Sequence, residues 1–248
     1  MSSSNVPKRS YGVDVSSYQS ENTNYPNAKF VFVKVTEGTG YINPKASAQI
    51  RSAKNHDQLV ASYFYANHSS SVSKAKAEAK YAVSKAKVLG VPLGSYVADD
   101  FEQGDGNSVY GSASANTDAI LAAMSVIKEA GYKPLVYANT SVLRNDLAVS
   151  RIVKSYGTCI WMASYKISGR QDHADFNYFP PMDGVAIWQF ADNYRGCDVD
   201  GNINLVDLKI SSDNHQAKSV KKSAESLSQH PVVRWVLGAV AVVLNSEC

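Results

Sequence analysis

Short, almost continuously apolar runs alternate along this chain with longer segments of helical spacing. The apolar runs are Tyr11–Val15, Phe30–Val35, Leu59–Tyr65, Ser95–Glu102, Pro134–Ala138, Cys159–Tyr165 and Gly184–Phe190. Each has the length of a strand, and a run without polar alternation belongs to a strand covered on both faces, as in a parallel sheet or barrel. Helical spacing predicts helices over Pro44–His56, Ser71–Leu89 and Asn116–Ala130. In the last of these, Ile120, Leu121, Met124 and Ile127 recur at helical intervals, and Gly131 follows where a helix would end. Strand–helix alternation at this length predicts a single-domain α/β barrel. The alternation fails over Ser168–Asp183, which reads as a loop, so the last strands are expected to follow one another without helices.

Composition narrows this picture. With 248 residues, 44% of them hydrophobic and 19% charged, the chain can build a sizeable core and is not globally disordered. A formal charge of +3 is too mild for a nucleic-acid partner, although it suits approach to an anionic polymer or surface. The opening residues 1–12 are polar and lack the apolar stretch of a secretory signal, so synthesis in the cytoplasm is expected, with release by another route. From Ser211 the composition turns to Ser, Lys, Gln and Asn, and then to an apolar stretch, His230–Leu244, interrupted by Arg234. That stretch is shorter than the roughly 20 residues of a spanning helix. The expected division is a barrel over 1–210 and a basic linker with a short apolar tail over 211–248, the tail packing on the barrel, lying loose, or touching a membrane or partner surface. Cys159, Cys197 and Cys248 have no metal-ligand spacing, so no metal or cofactor is expected. Cys159 opens an apolar run and reads as a core thiol, with a Cys159–Cys197 disulfide as the alternative.

The chemistry concentrates where the apolar run Val97-Ala98 ends in Asp99-Asp100-Phe101-Glu102. Carboxylates are seldom buried without a partner, a metal or a chemical task. Alternation along a strand turns Asp100 and Glu102 to one face. Two carboxyl groups on one face are the minimum equipment for cleaving a glycosidic bond. Functional groups of α/β barrels sit at the carboxyl ends of strands. Asp14, Glu37, Asp100 with Glu102, Tyr137, Tyr165 and Gln189 all fall there. A surface turn or a helix cap would also account for Asp14, since Ser16 and Ser17 follow it.

Several of these segments resemble glycoside hydrolase family 25, the Chalaropsis-type lysozymes common among bacteriophage endolysins. Gly12-Val13-Asp14-Val15-Ser16-Ser17-Tyr18-Gln19 resembles the family's opening, and Lys34-Val35-Thr36-Glu37-Gly38 its K-[AV]-T-E-G segment. Asp100-Phe101-Glu102 resembles its D-x-E, Val136-Tyr137 its I-Y, Trp161-Met162-Ala163-Ser164-Tyr165 its W-I-A-x-Y, and Trp188-Gln189-Phe190 its W-Q-[YF]. The similarity runs in family order over roughly residues 10 to 210. It departs at Phe64, where the family's Y-H-F-A carries histidine. It departs again at Asn204, where the closing G-N-V-D-[LV] carries a carboxylate that Asp200 or Asp198 would replace.

The resemblance implies a modified TIM-like barrel, (β/α)5(β)3, irregular toward its C-terminal strands. It implies a monomeric, cofactor-free muramidase acting on peptidoglycan glycan strands, a phage-type endolysin that reaches the cell wall after release. Glu102 would be the general acid and Asp100 the ionised partner, with Asp14 and Asp200 across the cleft. Glu37, Tyr65, Tyr137, Trp161, Tyr165, Trp188, Gln189 and Asn204 would contact sugar, the aromatic residues by stacking. For Trp161 and Trp188 core packing is the competing reading. Two rivals remain. In a chitinase-like glycosidase with D-x-x-D-x-D-x-E, Ala98 and Ser95 would stand where aspartates belong. A catalytically inactive wall-binding barrel would lose the carboxylates that this chain keeps.

Overall fold

A computed structural model describes residues 5–210, and the linker and tail expected over 211–248, with Cys248, lie outside the described residues. Eight strands close a barrel: β1 (Tyr11–Val15), β2 (Phe30–Glu37), β3 (Leu59–Tyr65), β4 (Tyr96–Asp100), β5 (Lys133–Asn139), β6 (Ile160–Ala163), β7 (Val185–Ala191) and β8 (Asp200–Asn204). Each pairs with the next in sequence, and β8 returns to β1. Strands β1 to β7 run parallel, whereas β8 is antiparallel to both β7 and β1. Closure leaves these strands without a free edge.

The expected helices form within a few residues of their predicted bounds: α1 (Ala46–Asn55), α2 (Val72–Leu89) and α3 (Ala113–Glu129). The side chain of Ser71 accepts from the Lys74 amide to start α2, and Gly90 ends it in a left-handed conformation at φ 89°. On α3, Ile120, Ala123, Met124 and Ile127 are buried. Two further helices, α4 (Thr140–Asn145) and α5 (Val149–Tyr156), share the β5–β6 crossover, and among the described residues the β1–β2 crossover has none. Their shortness and polar content hid them in the sequence. The loop expected over Ser168–Asp183 is mostly irregular, with a short strand Arg170–Gln171 that pairs with Asn193–Tyr194.

The barrel interior is plugged by aromatic rings. Phe30 meets Phe32 edge-on at 6.1 Å, Phe32 packs on Trp161 at 4.5 Å, and Tyr63 and Tyr137 approach the same indole at 5.9 and 4.9 Å. Gly12 on β1 makes room for this stack, because a Cβ there would lie 2.4 Å from the Phe30 ring. Cys159 is buried and free, its thiol pushed up to about 12 by burial, and Cys197 is half-buried and free, so the two do not pair.

The reversed direction of β8 corrects one expectation. Asp200 opens that strand opposite Asp14 at the upper rim, so Asn204 comes at the opposite end of the barrel. Asn204 is fully buried, and its amide donates to the carbonyls of Pro7 at 2.9 Å and Val206 at 2.8 Å, while its Oδ1 accepts from the Ser10 amide at 2.7 Å. It ties down the chain's first turn and touches no cavity at the rim. Asn204→Ala is therefore expected to lower unfolding free energy by about 1–3 kcal/mol, the cost of leaving buried backbone groups unpaired. Chemical denaturation should show this loss, with activity per folded molecule unchanged.

Candidate active site

The carboxyl ends of the barrel strands surround an open cavity of about 420 Å³. Its lining includes Asp14 from β1, Lys34 and Glu37 from β2, Tyr63 and Tyr65 from β3, and Asp100 from β4. Glu102 follows two residues beyond, and Tyr137, Trp161, Gln189 and Asp200 complete the circle. The register explains this assembly: Tyr65 pairs with Asp100, Asp100 with Tyr137, Tyr137 with Trp161, and Asp200 with Asp14. Ser16, Tyr18 and Asp105 add to the rim from the loops, and Tyr18 is 90% exposed.

Asp14 is the best-held acid. Its Oδ2 accepts from Gln189 Nε2 at 2.8 Å and from Asn202 Nδ2 at 2.7 Å. Both amides are aimed by further donors. Tyr137 and Tyr165 hydroxyls donate to Gln189 Oε1 at 2.9 and 2.5 Å, and the Trp161 indole donates to Asn202 Oδ1 at 2.7 Å. Burial nevertheless raises Asp14 to about 6, against the lowering effect of the two amides. Asp200 is raised to about 9, first by burial and then by the charge of Asp14.

Asp100 and Glu102 form the second acidic pair. Burial, and after it the charge of Glu102, hold Asp100 well above the usual carboxylate range, and its Oδ1 is buried without a hydrogen-bond partner. Glu102, half-buried, is raised by burial and partly restored by Lys34. Lys34 is the one cation lining the cavity among the described residues. It pairs with Glu37 and stands 5.0 Å over the Tyr65 ring. Asp14, Asp100, Glu102 and Asp200 share the cavity with a single ammonium that is already paired with Glu37, and this crowding of carboxyl groups favours retention of protons. Among the described residues no cluster of His, Cys, Asp and Glu has the geometry to hold a metal ion.

Strand alternation sorts the sequence candidates. Glu37, Tyr65, Tyr137, Gln189 and the four acids meet at the cavity. Trp161 is 1% exposed and forms the floor. Tyr165 stands behind Gln189 and reaches the cavity only through that hydrogen bond. Trp188 does not reach it. With Gln189 turned inward its neighbour must turn outward, and Trp188 packs beneath Phe176 and Phe179 with its indole donating to the Ser164 carbonyl. The same alternation separates Asp99 from Asp100. Asp99 is fully buried outside the barrel and faces His68, away from the cavity that Asp100 lines. Lys34, Tyr63 and Asn202 were missed as site residues. Lysine within the apolar run Phe30–Val35 was the available signal for the first.

The model of Glycosyl hydrolases family 25 matches residues 13–199. This chain belongs to that family. A lysozyme of Lactococcus phage mv1 is 37% identical over 179 residues, covering 71% of this chain and 89% of that protein. A lysozyme of Streptococcus phage Cp-1 is 31% identical over 176 residues, but the match spans only 46% of its length. Among solved structures, the modular Cpl-1 endolysin complexed with a peptidoglycan analogue superposes with a TM-score of 0.70 at 29% identity, over 84% of this chain and 57% of that one. The chain thus spans about half of these longer modular relatives. As a family 25 member with lysozyme relatives it is a glycoside hydrolase, built on the barrel already described.

The raised acids carry a stability cost with a definite sign. A carboxyl whose folded pKa exceeds its unfolded value favours the folded state below the unfolded pKa, and that contribution is lost as pH rises through the folded pKa. For Asp200 the window runs from about 4 to about 9. Asp200→Asn should therefore raise the unfolding midpoint at pH 7, by about 2–4 °C per kcal/mol in a domain of this size. The gain should vanish near pH 4, as thermal denaturation at the two pH values will show.

Proposed function

We propose that this family 25 glycoside hydrolase is a muramidase that cuts the β-1,4 bond between N-acetylmuramic acid and N-acetylglucosamine in peptidoglycan. In this reading it serves as a bacteriophage endolysin, made in the cytoplasm and acting on the wall after release, with residues 1–210 as the catalytic unit. The observation that carries the reading is the convergence of Asp14, Asp100, Glu102 and Asp200 on one open, aromatic-lined cavity. The phage lysozyme relatives support the substrate class.

Glu102 is the proton donor in this proposal. It stands past the end of β4, half-buried at the cavity, where a leaving oxygen can approach it. The Asp100–Glu102 pair keeps a proton because burial and mutual repulsion disfavour double ionisation. The deeper Asp100 is the more strongly raised of the two. As positive charge builds on the sugar ring in an oxocarbenium-like transition state, an ionised Asp100 is favoured and the proton is left on Glu102 for the departing oxygen. The second role of Asp100 is to stabilise that charge or to orient the acetamido group. Asp14, fixed by two amides, and Asp200 hold the opposite wall and bind sugar or the incoming water. Tyr65 and the exposed Tyr18 offer ring faces to the glycan.

An inactive wall-binding barrel would have no use for two buried and two half-buried acids and their destabilising pKa shifts. A chitinase-like site is disfavoured because Ala98 is wholly buried and apolar where that motif needs an aspartate.

Release of reducing sugar from purified peptidoglycan tests the proposal. Glu102→Gln keeps the shape and removes the transferable proton, and it should cost about 10²–10⁴-fold in rate. Asp100→Asn should cause a comparable loss with the fold intact. Wild-type activity in folded Glu102→Gln would overturn the assignment.

A further inference from the structure

Behind the acidic rim lies a second titratable cluster that the proposed reaction does not use. His68, in the β3–α2 turn, is wholly buried outside the barrel. Its Nε2 lies 3.2 Å from both oxygens of Asp99, and its Nδ1 lies 2.7 Å from the Ser69 carbonyl oxygen, which can only accept. Both ring nitrogens therefore face acceptors, and only the doubly protonated imidazolium satisfies both. The ring stacks on Phe101, at 5.5 Å between centroids and 20° between planes. Asp99 and Phe101 are the outward-facing residues that alternate with Asp100 and Glu102.

The contacts continue around the loop that carries Glu102. Ser69 adopts a left-handed backbone at φ 50°. Its amide donates to Asn107 Oδ1 at 2.8 Å, and its hydroxyl accepts from the Ser108 amide at 3.0 Å. Asn107, itself buried, donates from Nδ2 to the carbonyl of Glu102 at 2.8 Å. Gly104 lies within this loop against Tyr65, whose hydroxyl would be 1.9 Å from any Cβ placed there. A path thus runs from Asp99 through His68, Ser69 and Asn107 back to the backbone of Glu102.

We propose that His68 is a positioning residue for Glu102, an imidazolium clamp that fixes the Glu102 loop against the end of β4. This inference rests on the reading of Glu102 as the proton donor. Burial alone lowers the pKa of His68, but the charge of Asp99 and its hydrogen bond prevail and raise it to about 9. Glu78 faces the pair from α2, with its Oε2 accepting from the Asn67 amide at 2.9 Å and Lys74 one turn earlier on the same helix. A buried ion pair is weak support for stability, since well-packed apolar residues do as well, so placement is what it contributes here. With a folded pKa above its unfolded value, the clamp is complete at neutral pH and is lost as pH rises through about 9. Deprotonation leaves one ring nitrogen facing an acceptor with no proton to offer.

Steady-state kinetics of the full chain on soluble peptidoglycan fragments test the clamp, with His68→Gln, Asn107→Asp, their combination and Glu102→Gln compared. His68→Gln is expected to lower kcat by about 10²-fold, the scale of a misplacement of about 1 Å, with KM within about twofold of wild type. Asn107→Asp breaks the last link without touching the buried ion pair, and it should lower kcat in the same way. The double variant should lose no more than the larger single loss, because both act through one path. The alkaline limb of the kcat profile, which reports the donor's proton in the complex, should shift in both single variants. A purely structural role would leave that limb in place. Unchanged kcat and limb in folded His68→Gln, with Glu102→Gln inactive, would overturn the clamp and leave the muramidase reading standing. Full activity in Glu102→Gln would overturn both. If His68→Gln does not fold, Asn107→Asp alone decides, and an unchanged kcat there overturns the clamp.

Discussion

An excess of carboxyl groups over a single lysine, itself paired with Glu37, is the constraint on which the rest of this structure turns. Asp14, Asp100, Glu102 and Asp200 reach a common cavity, and Lys34 is the cation that meets them there. Solvent would let all four ionise at neutral pH, whereas burial and mutual repulsion do not. The result is a site that stores protons at a pH where isolated carboxyl groups have lost theirs. Storage requires rigid walls, because an acid free to swing into water would ionise. The walls are supplied by the amide network on Asp14, by the ring stack beneath Trp161, and by barrel closure that fixes the distance across the rim.

The two halves of the rim are held by different means. On the side of Asp14, neutral amides and phenols aim one another: Tyr137 and Tyr165 orient Gln189, Trp161 orients Asn202, and both amides meet one carboxylate oxygen. On the side of Glu102 the support lies outside the barrel and carries charge, in the His68–Asp99 pair and its extension through Asn107. Lining positions turn inward from the strands while their neighbours turn outward to helices and loops.

Much of this was legible in the sequence, for a reason that also marks its limits. Strands buried on both faces leave unbroken apolar runs, so seven of the strands and three helices could be read from hydrophobicity alone. Carboxyl groups at the ends of such runs stand out because burial makes them costly. Direction does not leave such a trace. Nothing in Asp200–Asn204 announces that β8 runs against its neighbours, and that reversal puts Asp200 at the rim and Asn204 at the opposite end of the barrel. Facing was available and underused. Trp188 and Gln189 are adjacent on one strand and cannot both look into the same cavity. The short α4 and α5 were hidden because a few turns with one buried stripe do not rise above loop composition.

The departures at Phe64 and Asn204 take a different meaning once the fold is known. Position 204 lies at the far end of the barrel, so an asparagine there costs the rim no acid, and Asp200 occupies the place opposite Asp14. Phe64 is the register partner of Asp99, and both side chains point away from the cavity, since Tyr63, Tyr65 and Asp100 line it. An imidazole at residue 64 would therefore stand beside Asp99. This chain fills that place with an apolar ring and brings an imidazole to the same carboxylate from His68, four residues later. In the turn, the ring that meets Asp99 also donates to the Ser69 carbonyl, and the Ser69 amide in turn donates to Asn107, which holds the backbone of Glu102.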